Sequence, residues 1–339
     1  MRFLKSFNKT MVHKYVVKKP FKGFLPDPGD FEIRSEKFEQ KLKLGQFLVK
    51  AEYISTDPYL RFFANKHHTP YEQFGFQVGK VLESKNPEYP VKTTVVSHSG
   101  WRDYVVLDGE PDDTFHIKPY DPQVGDLPLS MAVGALGMPG MTAYLGLLEI
   151  CKPEPGEVVC VSSAAGAVGS LAGQIAKLKG CKVIGFAGSD EKVRILTEEF
   201  RYDAAFNYKT VKNFKEAIFS VSDGIDCYFD NVGGELSLAI MGCMKKNGRV
   251  AVCGSLSSYG NPTQMNDMIA VPPTIEVEPF SFTEWDWDDQ KAAIKQLKEW
   301  IGRGSITVKE SVANGFEELP SSFISMLRGD KIGKVVVKV

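Results

Sequence analysis

The segment Ala164-Ala165-Gly166-Ala167-Val168-Gly169 restricts the fold more than any other, because of what flanks it. Glu157-Val158-Val159-Cys160-Val161-Ser162 precedes it as a β-rich apolar run. Residues 170–180 follow with helical spacing of apolar residues and a closing glycine. Strand, turn of small residues and helix together open a parallel α/β crossover. In that context the turn lets the backbone approach a diphosphate and aims the unpaired N–H groups of a helix N-terminus at it. The pattern predicts a bound dinucleotide.

The next strand, 182–187, sets the choice of dinucleotide. NAD sites place an acid near the tip of this strand to hold the ribose 2′-hydroxyl. Here the tip reads Gly188-Ser189-Asp190-Glu191-Lys192. Small residues stand where the acid is expected, and an ammonium that could neutralise a 2′-phosphate follows. Ser189 or Asp190 also reads as a helix cap with Lys192 merely solvated, and both readings can hold at once. The tip favours NADP over NAD.

With 339 residues, 43% of them apolar, the chain has the size of two domains with substantial cores. A net charge of −1 gives no general attraction for nucleic acid or anionic membrane. No run of about eighteen apolar residues is present to span a bilayer. The six cysteines, Cys151, Cys160, Cys181, Cys227, Cys243 and Cys253, show no C-x-x-C spacing and suit a reducing compartment, with the cytosol expected. Residues 1–26 hold seven Lys or Arg and no acid. This leaves 1–10 open as a targeting remnant, although a strand already reads at 12–17.

Up to about residue 125 the chain reads as short strands and turns, with β-like runs at 46–54, 78–83, 93–98 and 103–106, as in an antiparallel barrel. From Pro128 a helical segment through 141–150 leads into alternating strands and helices. Strands are expected at 204–208, 225–229, 249–254 and 274–280, and helices at 211–220, 235–244 and 287–302. The tail, 334–339, is a strand with no helix after it, expected to return to the barrel.

Several stretches resemble the medium-chain dehydrogenase/reductases, and within them the prostaglandin and alkenal reductase branch. They include Asp57-Pro58-Tyr59-Leu60-Arg61, Gly137-Met138-Pro139-Gly140-Met141-Thr142, Phe206-Asn207-Tyr208-Lys209-Thr210 and Asp226-Cys227-Tyr228-Phe229-Asp230-Asn231-Val232-Gly233-Gly234. The resemblance implies a GroES-like β-barrel catalytic domain (1–125 with 309–339), a Rossmann doubly wound parallel-sheet domain binding NADP(H) (126–308), and a homodimer joined at strand 274–280. It also implies a set of roles. Gly166, Ala167, Val168 and Gly169 would cradle the pyrophosphate, and Lys192 and Tyr208 the 2′-phosphate. Asn231, Cys253, Gly254, Ser255 and Tyr259 would line the ribose and nicotinamide. Phe280 and Phe282 would meet the carboxamide through their backbones, with Met138 and Thr142 opposite. Taken alone, Tyr208, Phe280 and Phe282 read more readily as core, and Asn231 equally as a turn residue. Tyr59 and Arg61 are substrate candidates, Arg61 either drawing in a carboxylate or pairing with an acid.

Zinc-dependent cousins carry a cysteine where Ile54 stands and Gly-His-Glu where Gly75-Phe76-Gln77 stands, so no metal is expected. His67-His68 lacks nearby partners and reads as a solvated loop. Without a Lewis acid, hydride addition to the β-carbon of an enal or enone is the accessible chemistry, since hydrogen-bond donors can stabilise an enolate. Tyr259 is the candidate phenol, as donor or as a ring packed over the cofactor. A second family tyrosine aligns near Pro272, so that donor is absent or replaced by Tyr53 or Tyr59. Lys331 stands where relatives have an asparagine. Quinone reduction and non-catalytic NADPH binding are the alternative readings.

Overall fold

The computed structural model describes residues 11–38, 41–260 and 274–339. The basic segment 1–10 and the loop with Pro272 lie outside them. The chain forms two compact units. One comprises residues through Val133 with Val312–Asp330 and Val335–Val339; the other is Gly134–Ser311 with Lys331–Lys334.

The first unit is built on antiparallel sheets. β1 (Met11–Val17) lies between β2 (Phe31–Lys37) and β4 (Tyr71–Glu72). A second sheet is built around β3 (Phe47–Ser55), β5 (Gln77–Ser84) and β6 (Thr94–Ser97), and β7 (Tyr104–Leu107) also pairs with β3. The tail strand β15 (Lys334–Lys338) pairs antiparallel with β3, Val336 opposite Ser55, and β14 (Glu310–Asn314) lies beyond it. Phe47, Val49, Val81, Val95 and Val105 close the core, with Tyr89 stacked on Phe47 at 4.2 Å between centroids. The helices of this unit are α1 (Tyr59–Ala64) and α8 (Leu319–Arg328).

The second unit is a six-stranded, all-parallel sheet. Its strands are β8 (Val158–Val161), β9 (Lys182–Ala187), β10 (Ala204–Asn207), β11 (Ile225–Asp230), β12 (Met244–Val252) and β13 (Glu276–Pro279). Their order is β10-β9-β8-β11-β12-β13. Every residue of β8 is buried, as expected of a central parallel strand covered on both faces. The helices are α2 (Met138–Leu145), α3 (Gly169–Leu178), α4 (Asp190–Glu198), α5 (Phe214–Phe219), α6 (Gly234–Met241) and α7 (Trp287–Gly302). The fold is therefore α/β, a doubly wound parallel sheet of Rossmann type and a β-barrel-like unit.

Several elements depart from the expected bounds, α5 among them, which starts only at Phe214 after its Asn213 cap. α2 gives way at Gly146 to a π-turn over Gly146–Cys151, where a Cβ on Gly146 would lie 2.1 Å from the Phe280 ring. α6 stops at Met241, with Gly242 as its C-cap. β12 starts earlier than expected, at Met244, and leaves the ladder after Val252 because the Cys253 and Gly254 amides both turn to the Asp230 carbonyl, at 2.8 and 3.2 Å. Among the described residues no helix is long and apolar enough to cross a membrane.

Candidate active site

The parallel strands end along one edge of the sheet, β8 at Val161, β9 at Ala187, β11 at Asp230 and β12 at Val252. Apart from Met138 and Thr142, which lie in α2, the cofactor candidates lie in the segments that leave the strand ends, Gly169 and Lys192 already in the first turns of α3 and α4. This is the carboxyl edge where open α/β sheets take their ligands.

The turn after β8 is shaped by close approach. Ser163 adopts φ +48°, and the Gly166 amide donates to the Ser163 carbonyl at 3.0 Å. A Cβ on Gly169 would lie 2.5 Å from that carbonyl oxygen and 2.8 Å from the Ala164 Cα, so only glycine fits there. At Gly166 a Cβ would meet nothing nearer than 3.2 Å, leaving its outer side accessible. Tyr202, which the sequence reading passed over, fixes the first turn of α3 by donating to the Gly169 carbonyl at 2.8 Å. Gly173 makes room for that ring; its Cβ would fall 1.9 Å from the Tyr202 hydroxyl. The tail also contributes, because the Gly333 amide donates to the Ala165 carbonyl at 2.8 Å and Gly333 bridges Gly166. Lys331, close by in sequence, is exposed.

After β9, Ser189 caps α4 by accepting from the Lys192 amide at 3.3 Å, with Asp190 and Glu191 in the first turn. The Asn207 amide group donates to Asp190 at 2.8 Å, and the Tyr208 ring lies against Gly188 with its hydroxyl 3.0 Å from where a Cβ would sit. Lys192 and Tyr208 thus flank one strand tip. Tyr208 is 40% exposed, not core.

After β11, one carboxylate organises the crevice. Asp230 is 1% exposed. Its Oδ1 accepts from Ser162 Oγ at 3.1 Å, the Tyr228 hydroxyl at 2.8 Å, and the Val232 and Gly233 amides at 2.9 and 3.0 Å. Its Oδ2 accepts from the Ser237 hydroxyl. Ser162 in turn receives the Asn231 amide at 2.9 Å, while Asn231 Nδ2 donates to the Ser162 carbonyl at 2.7 Å. Asn231 is therefore both a turn residue and a fixed part of the crevice wall. Asp230 and Ser162 were not singled out from sequence; an acid closing an aromatic strand just before Asn-Val-Gly-Gly is the signal that was available.

After β12, a 3-10 turn at Leu256–Ser258 brings Tyr259 back so that its hydroxyl would lie 2.9 Å from a Cβ on Gly254. Burial pushes this phenol up to about 12; Cys253 adds to the shift and the Ser255 backbone opposes it. The phenol consequently keeps its proton at neutral pH. Phe280 and Phe282 are both buried. The Phe280 ring packs on Gly146 and edge-on to Phe229 at 5.9 Å, and its amide is taken by the Val252 carbonyl at 3.3 Å. That side chain is core. Thr142 Oγ1 donates to the Met138 carbonyl at 2.7 Å within α2.

The two barrel candidates are held differently from expectation. Arg61 is 1% exposed, and its Nε, Nη1 and Nη2 donate to the Phe24 carbonyl, Asn65 Oδ1 and the Gly23 carbonyl at 2.9, 2.8 and 2.6 Å. It fastens the 23–24 loop rather than facing a substrate carboxylate or an acid. Tyr59 lies in an aromatic cluster with Phe63, Phe74, Phe76 and Phe115. Its hydroxyl is 3.1 Å from His98 Nε2, and His98 Nδ1 is 3.3 Å from Asp112. Burial, followed by Asp57 and Asp112, pushes the Tyr59 phenol well up. His67 and His68 are both exposed, in keeping with a solvated loop, and the His67 ring stacks on Tyr71 and lies tilted to Phe74, both at 4.9 Å. Among the described residues no three His, Cys, Asp or Glu side chains form a metal-ligand group.

Two protein-family profiles match the chain: N-terminal domain of oxidoreductase over residues 13–115 and Zinc-binding dehydrogenase over 167–299. Prostaglandin reductase 1 of Mus musculus is 44% identical over 329 residues, covering 96% of this chain and 98% of that protein. The 2-alkenal reductase (NADP(+)-dependent) of Nicotiana tabacum is 38% identical, covering 96% and 97%. The crystal structure of CurA in complex with NADPH from Vibrio vulnificus superposes with a TM-score of 0.82 at 30% identity, covering 96% and 99%. With that identity running nearly end to end, the chain belongs to the medium-chain dehydrogenase/reductase family, in its prostaglandin reductase branch.

Proposed function

We propose that the protein uses NADPH to reduce the C=C bond of α,β-unsaturated aldehydes and ketones, 2-alkenals and 15-oxo-prostaglandins among them. The names of the relatives support this: a prostaglandin reductase, an NADP-dependent 2-alkenal reductase and, at 38% identity over 87% of this chain, a (+)-pulegone reductase. The structural observation that carries it is the protonated Tyr259 phenol set against Gly254 on the carboxyl edge.

The residues present fit the cofactor. Glycine-only space at Gly169, an open backbone at Gly166 and the N-terminus of the ten-residue α3 suit a diphosphate. Lys192 and Tyr208 beside Gly188 suit a 2′-phosphate, and Asn231, Cys253, Gly254 and Ser255 a ribose and nicotinamide. Bound NADPH supplies hydride to the substrate β-carbon. Tyr259 would hydrogen-bond the carbonyl oxygen as charge moves onto it and release a proton toward the α-carbon, directly or through water. No metal enters this scheme: Ile54 and Gly75-Phe76-Gln77 supply no ligands. Small-molecule substrate, no nucleic acid and no membrane partner complete the reading. β13, at the edge of the sheet, supports a homodimer joined there. Six free cysteines support a reducing compartment such as the cytoplasm. The division 1–125 with 309–339 and 126–308 is kept as catalytic and cofactor domains.

The test is Tyr259→Phe assayed with a 2-alkenal and NADPH. Loss of a proton donor lowers turnover about 10²-fold or more while NADPH affinity stays within twofold. Unchanged turnover removes Tyr259 from the mechanism.

A further inference from the structure

We propose that the buried Asp230 carboxylate, hydrogen-bonded only to neutral groups among the described residues, biases the crevice at the end of β11 toward the oxidised, cationic form of the nicotinamide. This rests on the reading that the crevice holds a nicotinamide coenzyme, and adds to it a residue that sets the poise of the bound pair.

Five donors reach the carboxylate: the Ser162, Ser237 and Tyr228 hydroxyls and the Val232 and Gly233 amides. All are neutral. Among the described residues no Lys, Arg or His lies in ion-pair range of Asp230. Both carboxylate oxygens are thus engaged by neutral groups. Hydrogen bonds make its burial tolerable without cancelling its field, which a low-dielectric interior transmits further than water does.

That field reaches the crevice wall. Burial raises the Cys253 thiol to about 12, and the Asp230 charge is the second contributor. The same group is joined to both loops of the wall. Its carboxylate holds Val232 and Gly233, its backbone carbonyl accepts from Cys253 at 2.8 Å and Gly254 at 3.2 Å, and through Ser162 it holds the Asn231 amide. The charge and the wall residues form one hydrogen-bonded assembly. Hydride donation takes a neutral ring to a cation, so a fixed negative charge here stabilises the product form more than the reactant form.

Isothermal calorimetry on the full-length protein measures the dissociation constants of NADP+ and NADPH separately. Asp230→Asn keeps the shape and removes the charge. The ratio of the NADP+ to the NADPH constant is expected to rise at least about tenfold. A purely structural role moves both constants together and leaves the ratio within twofold of wild type, which overturns the proposal while leaving coenzyme binding in place. Wild-type protein that binds neither form overturns both readings. Tyr228→Phe serves if Asp230→Asn does not fold. It keeps the charge and removes the donor at 2.8 Å, which strengthens the field, so the ratio falls more than twofold below wild type; an unchanged or raised ratio contradicts the charge.

Discussion

Two glycines in one turn should fail in different ways when given a methyl group. In Gly169→Ala the new Cβ starts 2.5 Å from the Ser163 carbonyl oxygen and 2.8 Å from the Ala164 Cα, both backbone. Ordinary contact begins at 3.4 Å, so the turn must open by about 0.9 Å (3.4 − 2.5), and overpacking of this kind costs about 1–3 kcal/mol. For a domain of this size Tm should fall by roughly 2–10 °C. The displaced turn also carries the amides proposed to meet the diphosphate, and losing one hydrogen bond to a charged group costs about 1.5–3 kcal/mol, or roughly 10–150-fold in NADPH affinity. In Gly166→Ala the nearest atom is Ser163 O at 3.2 Å, so the fold needs only a small adjustment. Its Tm should stay within about 2 °C of wild type while NADPH affinity falls at least tenfold, because the methyl occupies the backbone approach. Differential scanning calorimetry and titration of NADPH fluorescence read the two effects separately. Wild-type stability in Gly169→Ala, or wild-type affinity in Gly166→Ala, refutes the reasoning.

Lys192→Ala is expected to lower NADPH affinity at least tenfold while leaving NADH affinity within twofold, measured by the same titration. Arg61→Ala should destabilise the protein by about 2–4 kcal/mol in urea unfolding, since three buried hydrogen bonds from a cation are lost. KM for carboxylate-bearing and neutral enones should then change by the same factor, and a selective rise for the former would restore Arg61 as a substrate residue. Tyr15 and Tyr259 have phenols raised to about 12, largely by burial. A raised phenol favours the folded state while it is protonated, so this contribution is intact below pH 10 and lost as pH rises from 10 to 12. Tm should fall across that window, with phenolate absorbance rising in step with unfolding.

What was legible in the sequence followed from periodicity and small residues. β8, the glycine turn and α3 combine an apolar run, a tight turn and a helical stripe, and each signal is local. β2 was missed because Phe31-Glu32-Ile33-Arg34-Ser35-Glu36-Lys37 is exposed along nearly its whole length and so carries no burial pattern. α8 was missed although Leu319, Phe323, Ile324 and Leu327 mark one buried face and Pro320 stands in its first turn. Asp230 and Tyr202 act through partners 68 and 33 residues away, Ser162 and Gly169, a relation that a one-dimensional pattern does not display. Arg61 illustrates the converse: a cation near a motif reads as ligand-binding until the carbonyls that satisfy it are seen.

The central claim, that NADPH held through its 2′-phosphate reduces a conjugated C=C bond, is tested most directly by loss of absorbance at about 340 nm with product analysis. The panel is 2-alkenals, 15-oxo-prostaglandin and a naphthoquinone, each with NADPH or NADH. The account predicts saturated carbonyl products, NADPH preferred over NADH at least tenfold, and enals turned over faster than the quinone. Oxidation confined to the quinone, equal use of NADH, or tight NADPH binding with no product would contradict it.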